Sequence, residues 1–179
     1  PGDNWQRFAN LRLLLANMYT QPGKKLLFMG AELGDDAEWD HQHGLRWDLY
    51  HDEKSAGLKF LISELNRIYR SEEALYQGNC MVEGFSWVDS NDKDRSVVSF
   101  MRNGISSGEQ ILIVCNYTPM VHYNYRVGVP SDGYWGEILN TDDSRFGGSG
   151  LVHAEPQLAC LPALHGQAHS LSMCLSPLA

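Results

Sequence analysis

Apolar positions recur along the chain with three different periods. Between residues 5 and 19, Phe8, Leu11, Leu15 and Met18 fall on one face at helical spacing, with Leu14 widening it and no Gly or Pro interrupting. That spacing predicts an amphipathic helix. Asp3 followed three residues later by Gln6 supplies a capping box for its start, and Pro22-Gly23 ends it. Leu26, Leu27, Phe28 and Met29 then run without alternation. A short continuous apolar run bounded by turn residues predicts a strand over 25–30 buried on both faces. A long polar loop follows, and over 56–70 the helical period returns. There Leu58, Leu61, Ile62, Leu65, Ile68 and Tyr69 fall on one side, with Lys59, Ser63, Asn66, Arg67 and Arg70 on the other. Helix, buried strand, loop, helix is the repeat unit of an α/β barrel or doubly wound sheet. One such unit closes no barrel, so a piece of something larger is expected.

From about Gly78 the texture changes to short runs. FSWVD alternates, SVVSFM and QILIVCNYT are rich in β-branched residues, and NYRVGV, YWGEIL, LVHAE and HSLSMCL follow at short spacing. Turn clusters separate them at 89–92, 103–104, 130–133 and 147–150. This pattern predicts an antiparallel all-β sandwich or Greek-key module. The boundary is expected near Tyr76, giving two parts, 1–75 and 76–179. The tract 141–150 reads as the least ordered stretch. Trp87 and Trp135 each stand in an alternating strand and are expected in the core.

Composition narrows the classes. Of 179 residues, 43% are hydrophobic and 20% charged, as in an ordinary globular protein. The net charge of −8 and the lack of a Lys/Arg cluster argue against nucleic acid as a partner. No apolar run is long enough to span a membrane and no signal-peptide pattern opens the chain. A cytoplasmic setting without membrane partners is therefore expected. Cys80, Cys115, Cys160 and Cys174 lie far apart with no CxxC spacing, which favours four reduced thiols over two disulfides.

The loop after the apolar run holds the chemistry. Gly30, Glu32, Gly34, Asp35, Asp36, Glu38, Trp39, Asp40, His41, His43 and Trp47 crowd into it, where the C-terminal end of a barrel strand would place functional groups. His41-x-His43 among these carboxylates matches no zinc spacing, so no metal is expected. The glycine tract near Gly147 has no Lys-Ser/Thr after it and is not a phosphate loop, and no cofactor is expected.

Longer strings carry a resemblance. PGDNWQRFANLRLLLANMYTQPGKKLLFMGAELG, EWDH, GLRW and LISELNRIYR in the first part, and EGFSWVDSNDKDRSVVSF, VCNYTP, YRVGVP, ILNTDDSRFGGS and HGQAHSLSMCLSPLA in the second, resemble bacterial 1,4-α-glucan (glycogen) branching enzymes of the α-amylase superfamily. The likeness covers essentially the whole chain. It departs at GAELGD, where the family has a pattern closer to GGEFGQ, and at GLRW, where Arg46 replaces the carboxylate of SLDW. The resemblance implies an α/β barrel remnant, the last helix-strand-helix of a (β/α)8 barrel, followed by the C-terminal all-β domain. It implies α-glucan as the substrate, the remainder of the barrel as a partner, and glycogen synthesis as the setting. The family's reaction is a retaining double displacement on two carboxylates, with a glucan 6-hydroxyl as acceptor. The motifs that carry those carboxylates are absent from this chain, so it holds no catalytic residue and is expected to be inactive alone. Glu32, two residues past the strand, Trp39 as a stacking platform, and Asp40 and His41 as partners for glucose hydroxyls are the candidate substrate-binding residues. Trp47, followed closely by Leu49 and Tyr50, reads as a packing residue. Two rivals keep their place: a glucan-binding module without chemistry, and a hydrolase of the same superfamily.

Overall fold

A computed structural model describes residues 2–179; Pro1, the first residue of the expected barrel portion, lies outside them. Helix α1 spans Asn4–Thr20 and α2 spans Glu53–Ser71. The carboxylate of Asp3 accepts from the Gln6 amide at 2.8 Å and so caps α1. Asp52 caps α2 by accepting from the amides of Lys54 and Ser55. Leu58, Leu61, Ile62, Leu65 and Ile68 are all buried along one face of α2, as their spacing predicts. The first four meet Leu15 and Tyr19 of α1 in one apolar cluster that also takes in Phe146 from the second half of the chain. Each such aliphatic side chain contributes about 1.5–3 kcal/mol by leaving water.

The β-module is antiparallel throughout. Strands β1 (Phe85–Asp92), β2 (Val97–Asn103) and β3 (Gln110–Asn116) form one sheet with β2 at its centre. Strand β4 (His122–Val129) pairs with β7 (His169–Leu175), and the short β5 (Gly133–Trp135) pairs with β6 (Gln157–Ala159). Val88, Val97 and Met101 of the first sheet share a core with Tyr125, Val127, Val129, Leu171 and Leu175 of the second, so the two sheets sandwich that core. Among the described residues no helix is long and apolar enough to cross a membrane, and all four cysteines are unpaired.

Several expectations need correction. No strand forms over 25–30: the segment is irregular, ends in a turn at 29–30 and pairs with no strand, and Leu26, Phe28 and Met29 are 81%, 61% and 56% exposed. An unpaired segment lying on one surface can cover only one of its sides, and here Leu27 alone of the four packs against the helical cluster. On α1 Leu11, Leu15 and Met18 pack on the helical cluster as expected, but the face widens on the other side from the one expected. Leu13 and Arg12 are buried, whereas Leu14 is exposed, because the tract 141–146 packs on that flank. Trp47 is 63% exposed in a 3₁₀ turn rather than pinned inside. Trp87 is 53% exposed, because a register shift between Trp87 and Asp89 breaks the alternation and sends Val88 inward instead. Its ring still meets Phe85 and Phe100 edge to face. Trp135 packs against the sandwich core. YWGEIL is a strand only through Trp135, and LVHAE forms none; β6 lies just after it.

The tract 141–150, expected to be loose, is tightly held. The carboxylate of Asp142 is buried and accepts from the Ser149 amide at 2.8 Å, from the Ser149 hydroxyl and from the Leu151 amide. Glycine is required where this tract touches the helices. A Cβ at Gly57 would stand 2.8 Å from the Phe146 carbonyl, so α2 seats directly on the loop backbone. From α1, the Arg12 guanidinium donates to the Thr141 carbonyl at 2.8 Å.

A second arginine joins helices and sheet. Arg102 of β2 is wholly buried. It donates to the carbonyls of Thr20 at 2.7 Å, Leu75 at 3.1 Å and Gly84 at 3.1 Å, and to the Asn79 side-chain oxygen at 2.8 Å. Between the two layers remains an apolar cavity of about 330 Å³, lined by Leu13, Leu65, Ile113, Leu139 and Met173.

Replacing Arg102 by Met would strand four buried acceptors at once. Urea unfolding of Arg102→Met should therefore show a loss of about 3–5 kcal/mol. A loss below about 1 kcal/mol would mean that these bonds do not hold the layers together.

Candidate functional site

The loop between α1 and α2 is built on a few fixed points. Gly30 and Gly34, both at positive φ, bracket a 3₁₀ turn over Ala31–Leu33. Leu33 is buried, and its carbonyl accepts from the Ser55 hydroxyl of α2 at 2.6 Å. Arg7 of α1 donates to Asp36 at 2.9 Å, and this bond lowers the Asp36 carboxyl below its ordinary value. Arg46 donates to Asp48 at 2.9 Å and lies 3.6 Å from Asp35. Lys59 of α2 donates to the Tyr50 carbonyl at 2.6 Å and sits 3.4 Å over the Tyr50 ring centroid, a cation–π contact.

Three of the four expected residues come together at the tip. Trp39 stands edge to face against Phe28, with ring centroids 5.5 Å apart, and its ring lies 6.2 Å from that of His41. Asp40 accepts from the Gln42 amide at 2.8 Å and from His43 Nδ1 at 2.6 Å, and His41 Nδ1 lies 3.9 Å from its other oxygen. The Gln42 bond and then the His43 bond hold the Asp40 carboxyl below its ordinary value. So a carboxylate, two imidazoles and an indole face solvent within one short span, with Trp39 about half exposed. Glu32 stands apart: it is half-buried on the 3₁₀ turn and shares no hydrogen bond with the other three.

The arrangement suits recognition better than bond-making. Among the described residues no three His, Cys, Asp or Glu side chains converge as metal ligands. The Asp40 carboxylate is ionised and already accepts two bonds, which fits it to orient and to accept rather than to donate a proton. The exposed indole face and the imidazoles offer an apolar platform beside polar edges.

Phe28 and His43 belong to this cluster and were not expected in it. Assigning Phe28 to a buried strand hid its contact with Trp39. The sequence signal for His43 was present, because Asp40 three residues before it can close an Asx turn onto Gln42.

Because the folded Asp40 carboxyl is lowered, its bonds are intact above the ordinary Asp value and are lost as pH falls through the lowered one. The Gln42 amide proton, followed by NMR, should therefore titrate with a midpoint below the ordinary value of 3.8. A midpoint at or above 3.8 would show that Asp40 does not hold this turn.

Residues 87–179 match the family described as "Alpha amylase, C-terminal all-beta domain". Over 178 residues the chain is 49% identical to the 1,4-alpha-glucan branching enzyme GlgB of Aquifex aeolicus, covering 99% of this chain and 28% of that protein. It is 47% identical over 180 residues to the GlgB of a Synechococcus strain, covering 99% of this chain and 23% of that protein. To the GlgB of Rubrobacter xylanophilus it is 46% identical over 179 residues, covering 100% and 25%. The chain thus spans about a quarter of the length of the curated relatives it matches.

Proposed function

The chain belongs to the family of alpha-amylase C-terminal all-beta domains, and from that premise we propose that it is the C-terminal part of a 1,4-α-glucan branching enzyme. The observation that carries this reading is the reach of the likeness. Identity of 46–49% to branching enzymes runs through 99–100% of the chain, so it includes the helices and loop that precede the β-domain match. Residues 1–75 are then the last part of a (β/α)8 barrel and 76–179 the C-terminal domain. The unpaired apolar segment supports this division. Leu26, Phe28 and Met29 are exposed on a segment that pairs with no strand, as in a barrel strand whose neighbours are elsewhere.

On this reading the complete enzyme cleaves an α-1,4-glucan and transfers the segment to a 6-hydroxyl, in cytoplasmic glycogen synthesis. The nucleophile and the acid–base of that displacement belong to the remainder of the barrel, the partner of this part. The role of this part is to bind. Trp39 stacks on a glucose ring, Asp40 accepts from sugar hydroxyls, His41 bonds at the edge, and Glu32 reaches the substrate once the barrel is closed. A carbohydrate ring presents apolar C–H faces and hydroxyl edges, and the cluster offers one group for each.

Linkage analysis of amylose tests the assignment. A protein that joins this chain to an upstream barrel bearing the family's carboxylate motifs should form new α-1,6 branches. The 179-residue chain alone should leave iodine staining unchanged. Free sugar in place of branches would make the complete protein a hydrolase, and branching by the chain alone would overturn the division of labour.

Trp39→Ala in the joined protein should weaken glucan binding several-fold, since an aromatic face contributes on the order of 1 kcal/mol. Unchanged affinity with an unchanged circular dichroism spectrum would return Trp39 to a packing role against Phe28.

A further inference from the structure

The β-module carries a second polar concavity, away from the loop and untouched by the function proposed above. It is a cleft of about 740 Å³ between the end of β1, the start of β4 and the turn before β7, within the size range of small-ligand sites. Its floor is Tyr125, buried, whose hydroxyl donates to Asp92 at 3.1 Å. Burial, together with Asp92 and Asp89, raises the Tyr125 phenol, so it remains a donor. Arg95 pairs with the same Asp92 at 3.4 Å and lies 5.7 Å over the Tyr125 ring. On the facing wall His165 accepts from the Gly128 amide through Nδ1, and its Nε2 lies 3.4 Å from Asp89.

The rim is set by a local departure from strand geometry. Register in β4 slips between His122 and Tyr125, and Asn124 adopts a left-handed φ of 55°. This bulge sends Tyr123 and Asn124 outward while Tyr125 turns in. Tyr123 is 73% exposed. The side-chain amides of Asn124 and of Asn91 opposite it line the cleft and form no hydrogen bond among the described residues.

The lining chemistry selects a ligand class. An anion would meet Asp89 and Asp92; of the two lining guanidiniums, Arg95 is paired with Asp92, and Arg126 is turned to the Pro162 carbonyl and the Ser170 hydroxyl. A metal ion has no convergent set of three ligands among the described residues. Carboxylates held by internal contacts and keeping spare lone pairs, free amides and an exposed tyrosine face together match a ligand that is uncharged and rich in hydroxyls. From this geometry we propose that the cleft binds a neutral saccharide chain, with Tyr123 as its stacking face and Asn91, Asn124 and Asp89 as partners for ring hydroxyls. The proposal rests on the glucan reading for the identity of the sugar, an α-1,4-linked oligomer. It places a holding point for the substrate on the β-module, separate from the loop.

Titration of the ¹⁵N-labelled chain with maltoheptaose tests it. Amides of 89–95 and 122–126 should shift on binding. Tyr123→Ala should weaken that response roughly two- to tenfold, and Tyr123→Phe, which keeps the ring face, should restore it. Shifts confined to residues 30–50 would overturn the cleft and leave the glucan reading standing. No shift anywhere would remove glucan binding from this chain altogether, cleft included, while the branching assay still judges the complete enzyme. Equal shifts of 89–95 with inorganic phosphate would make the cleft an anion site and refute the neutral-ligand assignment.

Discussion

A guanidinium buried without a carboxylate partner holds this structure in register. Arg102 leaves the sheet at its central strand and closes four hydrogen bonds onto the end of α1 and the link between α2 and β1. Burying a cation costs several kcal/mol unless its donors are satisfied. The chain meets that cost with carbonyl and amide dipoles alone. Arginine suits this task because its planar fork reaches several acceptors at once and stays charged, which lysine would not. The local surplus of positive charge extends to Lys25, whose ammonium is pulled down to about 8, first by burial and then by Arg102. Any displacement of the helical layer from the sheet would break these bonds together, and so the two layers move as one or not at all.

Arg12 makes the matching link from the other side. It binds the Thr141 carbonyl, close enough to Asp142 for that carboxylate to offset part of its burial. Asp142 in turn closes its own loop onto Ser149 and Leu151. Between the two arginines the contact is apolar and incompletely filled, leaving the cavity described above. Polar bonds thus fix the position of the helices, and the apolar cluster of Leu58, Leu61, Leu65 and Phe146 supplies the greater area.

Periodicity made some of this legible. Both helices, their caps and the main strands follow from 3.6- and 2-residue spacing, because each pattern reports a face that must be covered. What covers the face is not written in the same code. The run Leu26–Met29 demanded burial on two sides and found it on one, with Leu27 alone packed on the helices. Arg102 sits within SFMRN like any outward strand residue, and nothing local announces that three distant carbonyls await it. The tract 141–150 looked loose for its glycines and polar residues, yet Asp and Ser at that density are what close Asx turns. In the loop the residue types were readable, but the pairing of Phe28 with Trp39 was not, because it depended on the failed strand.

How the loop is anchored explains why its tip is available for chemistry. The contacts that tie it to the helices are made at its base or flank, Leu33 to Ser55, Asp36 to Arg7 and Tyr50 to Lys59, with Arg46 bridging Asp35 and Asp48 within the loop. None of these involves the exposed faces of Trp39, Asp40 or His41. A recognition group is useful only if it is held still while its own bonding capacity remains unspent. Here immobility comes from the helices beneath, which the buried arginines lock to the sandwich. The same logic governs the cleft on the β-module. There Asp92 and Asp89 are steadied by Tyr125, Arg95 and His165, while Tyr123 and Asn124 are turned out by the bulge. In both places the carboxylates are oriented by internal hydrogen bonds, and ring surface is presented beside them. Oriented acceptors beside an aromatic face are the pairing that suits a neutral, hydroxyl-rich ligand.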